Sequence, residues 1–118
     1  MLESNKTPPL FITGTQRSGT TLLHQIMSAS SQVWSQNEVY PLHRPMFAAP
    51  SVKHDQQFAA AMHDFFEVPL SLSDQPLQRK QKLAYFDDAM AAKAKQSNKS
   101  RWCLKDPQNT YYLQQYAD

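Results

Sequence analysis

The run Leu10-Phe11-Ile12-Thr13-Gly14-Thr15-Gln16-Arg17-Ser18-Gly19-Thr20-Thr21-Leu22-Leu23 decides how the rest of the chain reads. A short apolar stretch enters a tight loop, and the loop enters an amphipathic helix. Gly14 and Gly19 are the only 2 glycines among 118 residues. Glycine lets a backbone approach an anion closely, and the N–H groups opening a helix point at it. The spacing G-x-x-x-x-G is that of a nucleotide phosphate loop, yet Thr20 stands where a nucleoside triphosphatase carries lysine. The loop's cation is Arg17, whose guanidinium fork suits two oxygens of a phosphate or sulfate group. The loop is thus predicted to hold a tetrahedral anion without the usual ammonium.

Working outward, Pro8 and Pro9 close a polar leader, and a first strand is predicted over about Leu10 to Thr13. The helix from near Thr20 carries Leu22, Leu23, Ile26 and Met27 as the stripe expected to pack on a sheet. Ser28-Ala29-Ser30-Ser31 ends it in turn chemistry, and Val33-Trp34-Ser35-Gln36 reads as a short second strand ending at Asn37 and Glu38. Pro41, Pro45 and Pro50 argue for an extended, partly packed loop over residues 39–53. Two helices are predicted next, about Asp55 to Phe66 and about Gln75 to Gln96, the latter with Pro76 in its first turn. Leu77, Leu83, Phe86, Met90 and Ala94 form the buried stripe of the longer one, and Arg79, Lys80, Lys82, Lys93 and Lys95 its solvated face. Trp102-Cys103-Leu104 reads as a buried strand ended by Lys105-Asp106-Pro107. Asn109 to Tyr116 reads as a last short helix with Asn109 at its N-cap. Strand, helix, strand, helices, strand, helix is the order of a single α/β domain, 1–118, with a parallel sheet.

Composition narrows the function classes. Apolar residues make up 41%, unlike a disordered tail, and the net charge of +2 suits an anionic small molecule rather than nucleic acid. Cys103 is the single cysteine, so no internal disulfide forms, and a small buried residue in a strand is its expected role. No apolar run approaches the ~20 residues of a membrane span, and the first residues lack the apolar centre of a secretory signal. A cytoplasmic location is the resulting expectation. His24, His43, His54 and His63 have no metal-ligand spacing. His24 is expected at the surface or half-buried, and His43-Arg44 is a candidate lining for an acceptor pocket.

The segment from Pro9 to Leu23 resembles the 5′-phosphosulfate-binding loop of sulfotransferases, which use 3′-phosphoadenosine 5′-phosphosulfate (PAPS). Its Arg-Ser-Gly-Thr-Thr form is most similar to the tyrosylprotein sulfotransferases and related bacterial members. Gln36-Asn37-Glu38 matches a short segment in which those enzymes carry a glutamate, and Trp102-Cys103-Leu104-Lys105-Asp106-Pro107 resembles their strand ending in Lys-Asp-Pro. The three motifs occur in family order.

The resemblance implies a P-loop-like three-layer sandwich with a parallel sheet. It covers the family's amino-terminal portion: phosphosulfate loop and helix over 9–23, a helical segment over 55–97, and the Lys-Asp-Pro strand over 101–107. A truncated domain or fragment is expected, with an unpaired sheet edge available for self-association. By the same resemblance, the donor is held by Gly14, Thr15, Gln16, Arg17, Ser18, Gly19, Thr20 and Thr21. Arg17 neutralises the sulfuryl oxygens, Glu38 takes the acceptor's proton, and Lys105 adds positive charge near the bridging oxygen, with no metal. The partners implied are a small nucleotide and a hydroxyl acceptor of unstated identity. Taken alone, Glu38 reads as a solvated or capping carboxylate and Lys105 as an ordinary strand-end lysine. A P-loop kinase or triphosphatase and a non-catalytic anion-binding remnant are the alternatives.

Overall fold

A computed structural model describes residues 8–13, 20–70, 72, 75–106, 109, 112 and 116. Among these residues, three strands, β1 (Leu10–Ile12), β2 (Val33–Asn37) and β3 (Arg101–Lys105), form one parallel sheet in the order β1-β3-β2. Four helices accompany them: α1 (Thr20–Ser28), α2 (Tyr40–Phe47), α3 (Val52–Phe66) and α4 (Arg79–Gln96). Asn109, Tyr112 and Tyr116 are also helical.

The alternation of strand side chains sorts the core onto the two sides of the sheet. Phe11, Trp34, Trp102 and Leu104 join the main cluster, built with Val39, Leu42 and Met46 of the α2 region, Phe58 and Met62 of α3, and Leu83, Phe86 and Met90 of α4. Trp102 meets Phe86 edge-on at 5.8 Å and donates its indole N–H to Asp87 Oδ1 at 2.8 Å. Ile12, Val33 and Cys103 face the other way, with Leu10 and Met27 against them. Burial pushes the Cys103 thiol pKa up, opposed by a hydrogen bond with Ser35 and by the Arg101 charge.

Prolines do not keep residues 39–53 out of a helix. Pro41 falls in the first turn of α2, where no intrahelical N–H is needed, and Pro45 removes one bond inside it. Burial of Leu42, His43, Met46 and Phe47 offsets that loss, and Lys82 Nζ donates to the Pro45 carbonyl at 2.8 Å. Lys82 therefore does not belong to the solvated face of α4. It is buried, 3.0 Å from Asp55 Oδ1 and 5.7 Å from the Phe58 ring centroid, while Asp55 Oδ2 accepts Leu77 N–H. α4 begins at Arg79 rather than Gln75, because the Gln78 N–H bonds the Gln81 side chain in the manner of a cap, leaving Pro76 and Leu77 outside. Ser51 caps α3 by accepting the His54 N–H.

The stripe predicted on α1 is also corrected. Leu22 (62% exposed), Leu23 and Ile26 (58%) face away from the sheet, and Met27 and the half-buried His24 face it. The apolar spacing gave the helix but not its rotation. Among the described residues, no helix is long and apolar enough to cross a membrane.

Candidate functional site

Parallel register sets Ile12, Lys105 and Asn37 in one row across the carboxyl edge of the sheet. Ligands of open parallel sheets bind outside that edge, where the strand-to-helix turns converge. The turn between β1 and α1 starts there. Gly14, Thr15, Gln16, Arg17, Ser18 and Gly19 lie outside the described residues, while the Thr20 and Thr21 backbone opens α1.

Glu38 is the first residue beyond β2, and its N–H donates to the Lys105 carbonyl at 2.7 Å. That bond carries the β2–β3 pairing one step past Asn37. The Glu38 side chain then reaches Lys105, whose Nζ donates to Oε1 at 2.8 Å. The two partners differ in exposure: the Lys105 side chain is 3% exposed and that of Glu38 43%. Two residues 67 positions apart are thus brought together with the ammonium sheltered and the carboxylate open to solvent.

Several neighbours of this pair hold places that the sequence reading did not foresee. Asp106 is buried; its N–H donates to the Ile12 carbonyl at 3.2 Å, and its Oδ2 accepts the Val39 N–H at 2.9 Å. A triphosphatase reading would need this carboxylate for magnesium, but it faces the backbone after Glu38. Asn109 is not the N-cap expected of it: it is itself helical, and its Oδ1 accepts no hydrogen bond among the described residues. Its Nδ2 donates to both Ile12 and Leu104 carbonyls at 3.1 Å, tying β1 to β3 at their carboxyl ends. His24, one turn into α1, meets Ser35 Oγ through Nδ1 at 2.6 Å. Burial, and then the Lys105 charge, hold the His24 pKa below its usual value. The strand period could have paired Ser35 with that face of α1, but a lone histidine carries no such signal.

His43 does not line an open acceptor pocket. It is fully buried, with Nε2 2.9 Å from Tyr116 Oη and its ring against Tyr112 at 4.6 Å, while Arg44 beside it is exposed. Burial, then the Asp106 charge, push the Tyr116 pKa well above that of a free phenol. Two surface concavities, one beside Trp102 and Arg101 and the other beside Pro50 and Leu83, are lined by neither Glu38 nor Lys105. Among the described residues, no 3 His, Cys, Asp or Glu side chains gather as a metal site requires.

Fold and edge together define an α/β domain with a polar pair at the carboxyl ends of a small, open parallel sheet. Residues 8–117 match the family model described as the sulfotransferase family, and the chain belongs to that family. No curated protein and no solved structure matches it significantly.

Proposed function

We propose that this chain binds the phosphosulfate end of PAPS at the carboxyl edge of the sheet, and that Glu38 and Lys105 serve transfer of the sulfuryl group to a hydroxyl acceptor. The observation that carries this reading is the Lys105–Glu38 contact of 2.8 Å, with the lysine buried and the glutamate exposed. The donor chemistry fits: a sheltered ammonium and the N-terminus of α1 favour negative charge at this edge.

PAPS supplies the sulfuryl group. Around it, the amides of Gly14 to Thr21 and the Arg17 guanidinium would hold the phosphosulfate oxygens, as the family loop does. Lys105 keeps positive charge beside Glu38 and fixes the direction of its carboxylate through the 2.8 Å contact. Glu38, reachable from solvent, takes the proton of the incoming hydroxyl at the carboxylate oxygen that Lys105 does not occupy. Positioning and charge account for most of such a transfer. The wider architecture on this reading is the P-loop-like three-layer sandwich, and the Arg-Ser-Gly-Thr-Thr segment supports kinship with the tyrosylprotein and bacterial branch.

Thermal shift with PAPS against ATP–magnesium, followed by a transfer assay with Glu38→Gln, tests the proposal. PAPS should stabilise the protein and ATP–magnesium should not. Glu38→Gln should lower turnover by about 10²–10⁴ with little change in donor affinity. Loss of affinity alone would reassign Glu38 to binding. Stabilisation by ATP–magnesium only would end the sulfuryl-transfer reading.

A further inference from the structure

We propose that Asp106 is a positioning residue whose carboxylate sets the Glu38 backbone, and with it the direction of the Glu38 side chain. The proposal rests on the reading of Glu38 as the base.

A carboxylate at 1% exposure is costly to bury unless its oxygens are well used. The use made of Oδ2 is specific. Two successive N–H groups follow β2, those of Glu38 and Val39. The first is held by the Lys105 carbonyl at 2.7 Å and the second by Asp106 Oδ2 at 2.9 Å. Successive N–H groups of an extended strand point to opposite sides, so as the chain turns out of the sheet the Asp106 oxygen substitutes for a backbone acceptor that Val39 would otherwise lack. This substitution lets the chain leave the sheet at Val39 (φ −121°, ψ 31°) and enter α2 without a buried orphan N–H, since Val39 is itself fully buried. Glu38 is thus pinned on both sides of its Cα, and its side chain is directed at Lys105.

Asp106 is anchored in turn. Its N–H is on the Ile12 carbonyl, and its carbonyl accepts the Asn109 N–H at 2.9 Å. The Asn109 amide reaches back to β1 and β3. His43 Nδ1 lies 3.9 Å from Oδ2, and the imidazole is held by Tyr116 and stacked against Phe47. Asp106 thus joins the end of β1 through its backbone and, through its carboxylate, the Val39 N–H that follows Glu38.

The test uses the full chain with Asp106→Asn and Asp106→Ala, read by amide hydrogen exchange at Glu38 and Val39 and by transfer kinetics. Asparagine keeps an oxygen that can accept the Val39 N–H. Its Val39 amide should stay protected, and kcat should stay within about 10-fold of the parent. Alanine removes the acceptor. Val39 exchange should rise by ~10²-fold and kcat fall by ~10²-fold, while KM for PAPS changes little. Unchanged Val39 protection in the alanine variant overturns the proposal, as does equal loss of kcat in both variants. If the alanine variant does not fold, the asparagine variant decides alone: protection with near-parental kcat upholds the proposal, and lost protection at an unchanged melting temperature overturns it. Absence of sulfuryl transfer in the parent protein would sink the functional reading, while the exchange ratios would still decide the role of Asp106.

Discussion

Among the described residues, two lysine–carboxylate pairs are built differently. Lys82 and Asp55 meet at 3.0 Å with both side chains closed off from solvent, 1% and 3% exposed. Their remaining capacity goes to the Pro45 carbonyl and the Leu77 N–H, so the pair joins α2, α3 and the approach to α4. Lys105 and Glu38 meet at 2.8 Å, but the carboxylate is 43% exposed and sits at the sheet edge. The first pair has every partner inside the protein and can only hold it together. The second keeps one partner in reach of solvent and therefore of a substrate. With the same kind of charge pair, exposure of one carboxylate separates a pair closed inside the core from one that solvent can reach.

The largest effect should come from breaking the closed pair. Lys82→Ala leaves a buried carboxylate uncompensated and should destabilise by about 3–5 kcal/mol in urea unfolding. Lys82→Met, of similar volume but without the charge, still isolates Asp55, and Lys82→Met with Asp55→Leu should recover much of the loss. A drop below about 1 kcal/mol for Lys82→Ala would show that the pair does not hold the helices. At the open pair the balance should reverse. Lys105→Ala should cut transfer by ~10²–10³-fold, with a stability loss well short of that for Lys82→Ala because Glu38 regains water. Equal destabilisation by the two alanine variants would remove the distinction between the pairs.

The smallest effect concerns His24, beside the open pair. Its folded pKa is held below the ordinary 6.5, so the unfolded chain binds a proton first as pH falls. The His24 contribution is complete above about pH 6.5 and is lost as pH drops through the lower folded value. Urea midpoints followed from about pH 7.5 to about 5.5 should fall less steeply in His24→Gln than in the parent. A steeper fall in the variant would contradict the assignment.

How much of this was legible in the sequence depended on the kind of signal. The strands at Leu10, Val33 and Trp102 are bounded by turn residues or proline, and their starts or ends fall within a residue or two of expectation. The motif order placed Glu38 and Lys105 in one site, and the structure brings these two together. Proline misled at α2 because its local cost is visible in sequence, whereas the burial of Leu42, Met46 and Phe47 that offsets it is tertiary. Lys82 misled because a lysine among charged residues reads as solvated until Asp55, on another helix, is seen beneath it. His24, Asp106 and Asn109 act through contacts with distant backbone or side chains, which no local pattern announces.

The strand order has a consequence for biosynthesis. β3 is both the middle strand and the last of the three to leave the ribosome. Until Arg101–Lys105 emerges, β1 and β2 have no described neighbour to pair with, and the nascent chain can organise only its helices. The sheet and its carboxyl edge then form in one late event that closes long stretches of chain, a step expected to be slow and exposed to chaperone capture.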